Sequence, residues 1–234
     1  MTNPSTKIAS LALFLGSLLT LPLASPAFAS EAPIDLGTAS SFSVLAQTGV
    51  ANTLSTTLSK NLGLSHSGTI TGFPPGVVTG HTHNKDADAV QAQTDRLSAY
   101  NAALARTTTT TFSGDNNGKI FTPGVHATAS AFALTGTMTL DGGGDSQAVF
   151  VFKINAALNT AASSQIRLIN SASAHDVFWQ VNGAVTTGAD SSFTGTLLVN
   201  GAITLGARSG LTGRALSAGT VTLADNTVVE SPWV

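Results

Sequence analysis

VTTGADSSFTGTLLVNGA (residues 185–202) lies without a gap over ITLGARSGLTGRALSAGT (203–220). The two strings match in character at most positions, which sets a period of 18, and a third turn opens with VTL at 221–223. Upstream, FKINAALNT (152–160) lies over WQVNGAVTT (179–187) at an offset of 27. That offset is one period plus a nine-residue insertion that takes in the small polar loop 170–174. GTMTL (136–140) reads as a further copy about 20 residues earlier. A short repeat of alternating apolar residues marks a solenoid, whose coils cannot bury an apolar face alone and gain stability by stacking. The expected fold class is mostly β: a right-handed irregular β-helix with roughly triangular coils and one long α-helix packed alongside.

Inward columns follow from the alternation of strand side chains. Met138, Leu158, Val185, Ile203 and Val221 are assigned to one column, and Ile166, Phe193 and Leu211 to a second. Gly188 and Gly206 recur at corners, where a positive φ would be easy. Residues 86–106 read differently. Val90, Leu97 and Leu104 recur every seven residues with Tyr100 between them, which predicts an amphipathic helix of about 21 residues and some 31 Å, capped by Asn84 or Asp86. Strands stack about 4.8 Å apart, so such a helix would run along about six coils. In 34–80 no repeat register is visible. Phe42-Ser43-Val44-Leu45 reads as a strand and 72–76 as a turn, and this part is expected to form a cap or the first coils.

The opening of the chain is of another kind. Lys7, the apolar run 8–23 and Ala27-Phe28-Ala29 are the parts of a secretory signal cleaved after Ala29. The expected organisation is a signal peptide at 1–29 and a single solenoid domain at 30–234, exported to the extracellular space, with no membrane contact after cleavage and no partner subunit. Loss of Lys7 leaves nine basic against twelve acidic residues. Charged residues are 9% of the chain, where about 25% is usual. A basic footprint for nucleic acid is therefore absent. With no cysteine, the fold cannot rest on disulfides. A surface rich in hydroxyls and poor in charge suits a neutral, hydrogen-bonding partner.

Motifs that carry chemistry are missing, and neither catalysis nor a cofactor is expected. His81 and His83 could share a strand face as a metal pair would, but no third ligand is near in sequence and no HExxH occurs, so they read as a polar loop before the helix. Asp141, Asp145 and Asp176 fall in loops. Polysaccharide hydrolysis needs clustered acids, and here the acids do not recur on one column. A secreted adhesion module that binds carbohydrate is the alternative reading. Its aromatic platform would have to come from residues such as Phe150, Phe152, Phe178 and Trp179, which lie where core packing is expected.

The outward positions carry the signal. Just after the first inward column come Thr139, Asn159, Thr186, Thr204 and Thr222. Just before it come Thr137, Ala157, Ala184, Ala202 and Thr220. Stacked, they would form a flat uncharged strip of methyls and hydroxyls, with coils about 4.8 Å apart and columns about 6.6 Å apart. Threonine is stiff at χ1, so such a strip can hold a sheet of ordered water. The neighbouring face, assigned Arg208 and Arg214 with Thr196 and Thr212, carries charge.

These strings, together with IDLGTASSFSVLAQTGV, TITGFPPG, AVQAQTDRLSAYNAA and FTPGVHATASAFALTGTMTLDGGGDSQAVFVFKI, resemble the bacterial and fungal ice-binding proteins with a discontinuous β-solenoid and a long accompanying helix. The resemblance covers residues 32–229. It implies that the N-terminal segment also contributes coils, and that the chain adsorbs to ice, inhibits recrystallisation and shows some thermal hysteresis. That family's ice face has no strict repeat and accepts Thr, Ala, Ser and Asn. The residues carried over are Thr137, Thr139, Thr186, Thr204, Thr220 and Thr222, supported by Asn159, Ala184 and Ala202. Lys153, Gln180 and Arg167 are expected on other faces.

Overall fold

The computed structural model describes residue 1 and residues 31–230. The expected signal peptide therefore lies outside the described residues, apart from Met1. The chain forms a parallel β-solenoid of three faces with one long helix, α1 (Ala87–Ala105). Every paired strand is parallel to its neighbours, as coil-on-coil stacking requires.

Coil order is not chain order. Two coils form first, from residues 42–58 and 61–78. Helix α1 then carries the chain back along the molecule, and the remaining coils build from 110 onward toward the first two. The last coil docks on the first. Val44 and Leu45 pair with Ala215 and Leu216, Val50 with Val221, and Leu58 with Val228. The N-terminal segment thus contributes full coils, and no repeat register marks them because 42–58 and 61–78 differ in their turns. The nine-residue insertion falls between the pairs Gln165–Ser192 and Phe178–Thr196. It holds the turn at 170–173 and the 3-10 turn Ala174–Asp176.

The second inward column is as read, Ile166, Phe193 and Leu211, extended by Val228, Leu58 and Val78. Met138 belongs to it. Met138 pairs with Ile166, and the true neighbour of Leu158 is Phe132, 26 residues earlier. Both FAL and MTL fit an alternating strand, and this coil is lengthened by its loops, so the sequence alone favoured the wrong one. Rings fill the end of the core near Phe132. Phe152 stacks on Trp179 with centroids 4.2 Å apart, and Phe193 and Phe132 pack against the indole at 5.0 and 5.4 Å. The Trp179 indole N–H donates to the Thr194 carbonyl at 2.8 Å.

Gly188 and Gly206 do stack at a corner, but for another reason than a positive φ. A Cβ on Gly206 would lie 2.5 Å from the Gly188 carbonyl carbon, and one on Gly188 2.2 Å from that of Ala161. The left-handed positions of the same corner are held instead by Ser163, Asp190, Arg208, Asp225 and Leu54.

Helix α1 is capped by Asp86, whose carboxylate accepts from the Ala89 amide at 2.9 Å. Its buried face is not the heptad row. Val90, Leu97 and Leu104 are about half exposed (50%, 47% and 50%). Ala89, Ala92, Ala99 and Ala103 face the sheet with Tyr100 and Arg96. Small side chains let the helix approach the outward apolar residues Val151, Phe178, Leu198, Leu216 and Leu45, which form one cluster with it. Its polar residues then meet the coil edges in step. Gln93 donates to the Ser217 carbonyl at 3.0 Å, Arg96 to the Val199 carbonyl at 3.2 Å and the Tyr100 hydroxyl to Asn182 at 3.3 Å. Three or four residues of helix rise about 4.5–6 Å, close to the ~4.8 Å between strands, so helix and coils keep register.

Where the last coil meets the first, Glu230 forms ion pairs with Lys60 and Arg214, and Arg214 also donates to the Ser40 carbonyl at 3.0 Å. Arg214 is 6% exposed. Leaving a largely buried charge unpaired costs about 3 kcal/mol. Glu230→Gln should therefore lower unfolding stability by about that amount in denaturant titration, more than Glu31→Gln, whose Arg106 partner is a quarter exposed.

His126 is buried against Phe121 and Phe152, with Nε2 2.9 Å from the Thr122 carbonyl and Nδ1 unpartnered. Burial pushes its pKa down from 6.5, partly offset by the Thr122 hydrogen bond. The unfolded chain then takes up a proton that the folded chain refuses. Stability from this site is full above pH 6.5 and falls with pH until the depressed folded pKa is reached, by at most about 1.4 kcal/mol per pH unit. His126→Phe should flatten that part of the stability–pH curve; an identical slope in the variant would show that His126 is not its source.

Candidate functional site

Seven strands make the face opposite no other element: Phe132–Leu134, Leu158–Thr160, Val185–Thr186, Ile203–Thr204, Thr220–Ala224, Gly49–Thr53 and Ile70–Thr71. Phe132, Leu158, Val185, Ile203, Val221, Val50 and Ile70 point inward in one aligned column. The position after each gives one outward column: Ala133, Asn159, Thr186, Thr204, Thr222, Ala51 and Thr71. The position before gives the other: Ala131, Ala157, Ala184, Ala202, Thr220, Gly49 and Thr69. None of the fourteen is charged, and none is buried. Over six intervals of about 4.8 Å the strip is roughly 29 Å long.

Of the residues named from sequence, Asn159, Ala184, Thr186, Ala202, Thr204, Thr220 and Thr222 are brought together here. Thr137 and Thr139 are not. They flank Met138 on the third face, where Thr139 is beside Ile120 and Arg167. Sequence reasoning missed Ala131, Ala133, Gly49, Ala51, Thr69 and Thr71. The signal for the last four was the pair GVA (49–51) and TIT (69–71), which repeat the small–apolar–small/Thr triplet but sit 171 and 151 residues from Thr220 and its neighbours.

Charge borders the strip without entering it. At one corner Arg208 makes two hydrogen bonds of 2.8 Å with Asp190, which hold the Asp190 carboxyl below its usual range. The other corner carries the exposed Asn155, Asn182 and Asn200. The residues expected on a charged neighbouring face are instead spread out. Arg208 is at the corner, Thr212 on the third face, and Arg214 and Thr196 lie side by side and buried on the helix face. Lys153 and Gln180 are also on the helix face, and Arg167 is on the third.

Beneath the plane the corner is pinned by buried hydroxyls. The Thr160 hydroxyl accepts from the Gly188 amide at 3.2 Å and the Thr187 hydroxyl from the Gly206 amide at 3.0 Å. Asn226 donates to the Gly206 and Ser209 carbonyls at 2.7 and 3.1 Å. The central rungs are therefore fixed at the corner that follows their outward residues.

The other polar groups serve local structure. His83 pairs with Asp86 at 2.9 Å and Asp88 at 3.5 Å beside the helix cap. Asp141 accepts from the Gly143 amide and from Asn170 within its turn, which keeps its carboxyl below the usual range. Among the described residues no three His, Cys, Asp or Glu side chains are grouped to hold a metal. Phe150, Phe152, Phe178 and Trp179 are buried and offer no stacking platform.

A family model described as Ice-binding-like matches residues 44–229. The chain is 40% identical over 164 residues to an ice-binding protein of Nostoc sp. (strain HG1), covering 70% of this chain and 61% of that one. It is 30% identical over 180 residues to an ice-binding protein of Flavobacterium frigoris (strain PS1), covering 70% and 64%. It therefore spans less than two thirds of either relative's length. Among solved structures, an ice-binding protein from the Antarctic ascomycete Antarctomyces psychrotrophicus superposes with a TM-score of 0.84 at 38% identity, over 86% of this chain and all of that one. The domain of Shewanella frigidimarina ice-binding protein 1 superposes with a TM-score of 0.79 at 28% identity, over 87% and 99%.

Proposed function

The chain belongs to the ice-binding-like family, and on that premise we propose that it is a secreted protein that adsorbs to ice through the seven-rung Thr/Ala face and so slows ice growth and recrystallisation. The observation that carries this reading is the alignment of uncharged short side chains in two columns over seven rungs. Adsorption to a crystal is a sum of many weak contacts. It requires that hydroxyls sit at fixed spacing and that nothing project between them. β-branched threonines have few rotamers, and strand pairing fixes the spacing. The methyls leave water little choice of arrangement, while hydroxyls anchor it. A charge in the strip would hold its own hydration shell and break the pattern; none is present.

Thr204 is on the middle rung. Thr204→Tyr should reduce recrystallisation inhibition at least tenfold with an unchanged melting temperature, because the ring holds the plane away from the crystal. Thr139→Tyr, on the third face, should leave activity at the parental level. Equal loss in both variants, or none in Thr204→Tyr, would sink the assignment. Ala51 interrupts the run of Thr186, Thr204, Thr222 and Thr71. Ala51→Thr should complete it and raise thermal hysteresis, measured by nanolitre osmometry; a decrease would mean that the gap is itself part of the fit.

A further inference from the structure

The two outward columns do not stop at Phe132–Leu134. Asp115 forms a parallel bridge with Ala133, and the Asn116 amide donates to the Ala133 carbonyl at 3.0 Å. Residues 113–115 therefore lie over 131–133 as a partial eighth rung. Gly114 stands at the inward position and brings no side chain. Ser113 and Asp115, both exposed, continue the outward columns. The column that runs Thr71, Ala51, Thr222, Thr204, Thr186, Asn159, Ala133 thus ends on a carboxylate.

That carboxylate is fixed and carries its charge. It accepts from the Thr135 hydroxyl, from the Thr135 amide at 3.1 Å and from the Asn117 amide at 3.2 Å. The Thr135 hydroxyl above all holds the Asp115 carboxyl below its usual range, so it is ionised at neutral pH. Lys119, the cation of the same turn, is engaged by the Ser113 carbonyl at 2.7 Å and the Asn116 side-chain oxygen at 3.1 Å. Among the described residues no ion pair reaches Asp115. An ionised carboxylate only accepts hydrogen bonds, so the water around it is turned with its hydrogens inward. A threonine or asparagine both donates and accepts and leaves its water free to join a lattice. Ala131 and Ala133, about 4.8 Å away, border the carboxylate's shell.

We propose that Asp115 sets the boundary of the ice-contacting plane: its charge bars the eighth rung and ends the ordered water at Ala131 and Ala133. This rests on the ice reading of the face. Asparagine already stands in the same column at Asn159, so the charge, and not the size of the side chain, is what excludes the rung. The other end of the plane has no such group, since Thr71 is followed by Gly72 and Phe73. An acid at the open end of the stack has a use of its own, because charge on an unpaired edge discourages a second chain from adding to it.

The test is thermal hysteresis of the mature chain at neutral pH, by nanolitre osmometry, with the melting temperature of each variant as a check on folding. Asp115→Asn removes the charge and keeps an acceptor for the Thr135 and Asn117 amides. It should lengthen the working plane from about 29 to roughly 34 Å. Weak contacts on one rigid body act together, so hysteresis should rise by at least about one seventh, the share of one added rung. Asp115→Ser, whose hydroxyl also fits the column, should give a similar rise. Asp115→Glu keeps the charge and should give none. Hysteresis at or below the parental level in both neutral variants, or a rise in Asp115→Glu, would overturn the boundary. Thr204→Tyr, made in the parent and in Asp115→Asn, separates the two failures. Loss of activity there leaves the ice face standing whatever Asp115 does, whereas no loss removes the face and the boundary with it.

Discussion

The structure depends on one joint: the parallel docking of the last coil on the first, with all three faces continuing across it. Without it the C-terminal stack would end on open strand edges, and the first two coils would have too little core to stand alone. The joint is made by residues about 170 positions apart, and α1 is what makes it reachable. At about 1.5 Å per residue, nineteen residues of helix span ~28 Å, close to the length of the stack the chain must travel back along. The helix also seals the apolar outward residues of the face it crosses. Chain return and cover for one face are thus a single device.

The joint decides the length of the candidate site. Five rungs come from the C-terminal stack and two from the N-terminal coils. The ion pairs of Glu230 with Lys60 and Arg214 sit at the same joint. These pairs hold segments distant in sequence in register, and no charge stands on the plane that those segments build.

The 18-residue repeat was legible because its copies align without gaps, and it located three central rungs, with Thr186, Thr204 and Thr222 in one column. Beyond them the limits are physical. A strand triplet such as Thr-Met-Thr has the same alternation on any face, so only coil length could place Met138, and loops vary coil length. The helix was found and its cap narrowed to Asn84 or Asp86, of which Asp86 is the one used, yet its contact face was misread. Hydrophobicity favoured Val90, Leu97 and Leu104, whereas close approach to a sheet favoured Ala92, Ala99 and Ala103. The N-terminal rungs were invisible because a triplet such as GVA carries too little information to be matched across 171 residues. Thr160 and Thr187, which look like surface threonines, are buried and hold the corner.

The third face shows why a Thr-rich strand is not enough. Thr137, Ser192, Thr227 and Thr57 are stacked there in register, much as on the candidate face. Gln165 and Arg167 interrupt the two columns with long side chains, Thr194 is buried with its hydroxyl on the Ile166 carbonyl, and the 170–176 insertion leaves the solenoid beside them. In the three central coils, by contrast, the loops on either side of Val185–Thr186 and Ile203–Thr204 are short and repeat. Those next to the candidate face are pinned by stacked glycines and hydroxyls. Flatness is therefore a property of the corners rather than of the strands between them. The distinction between the two faces lies in residues such as Gly188, Gly206 and Thr187, which touch no ice but set the level of those that would.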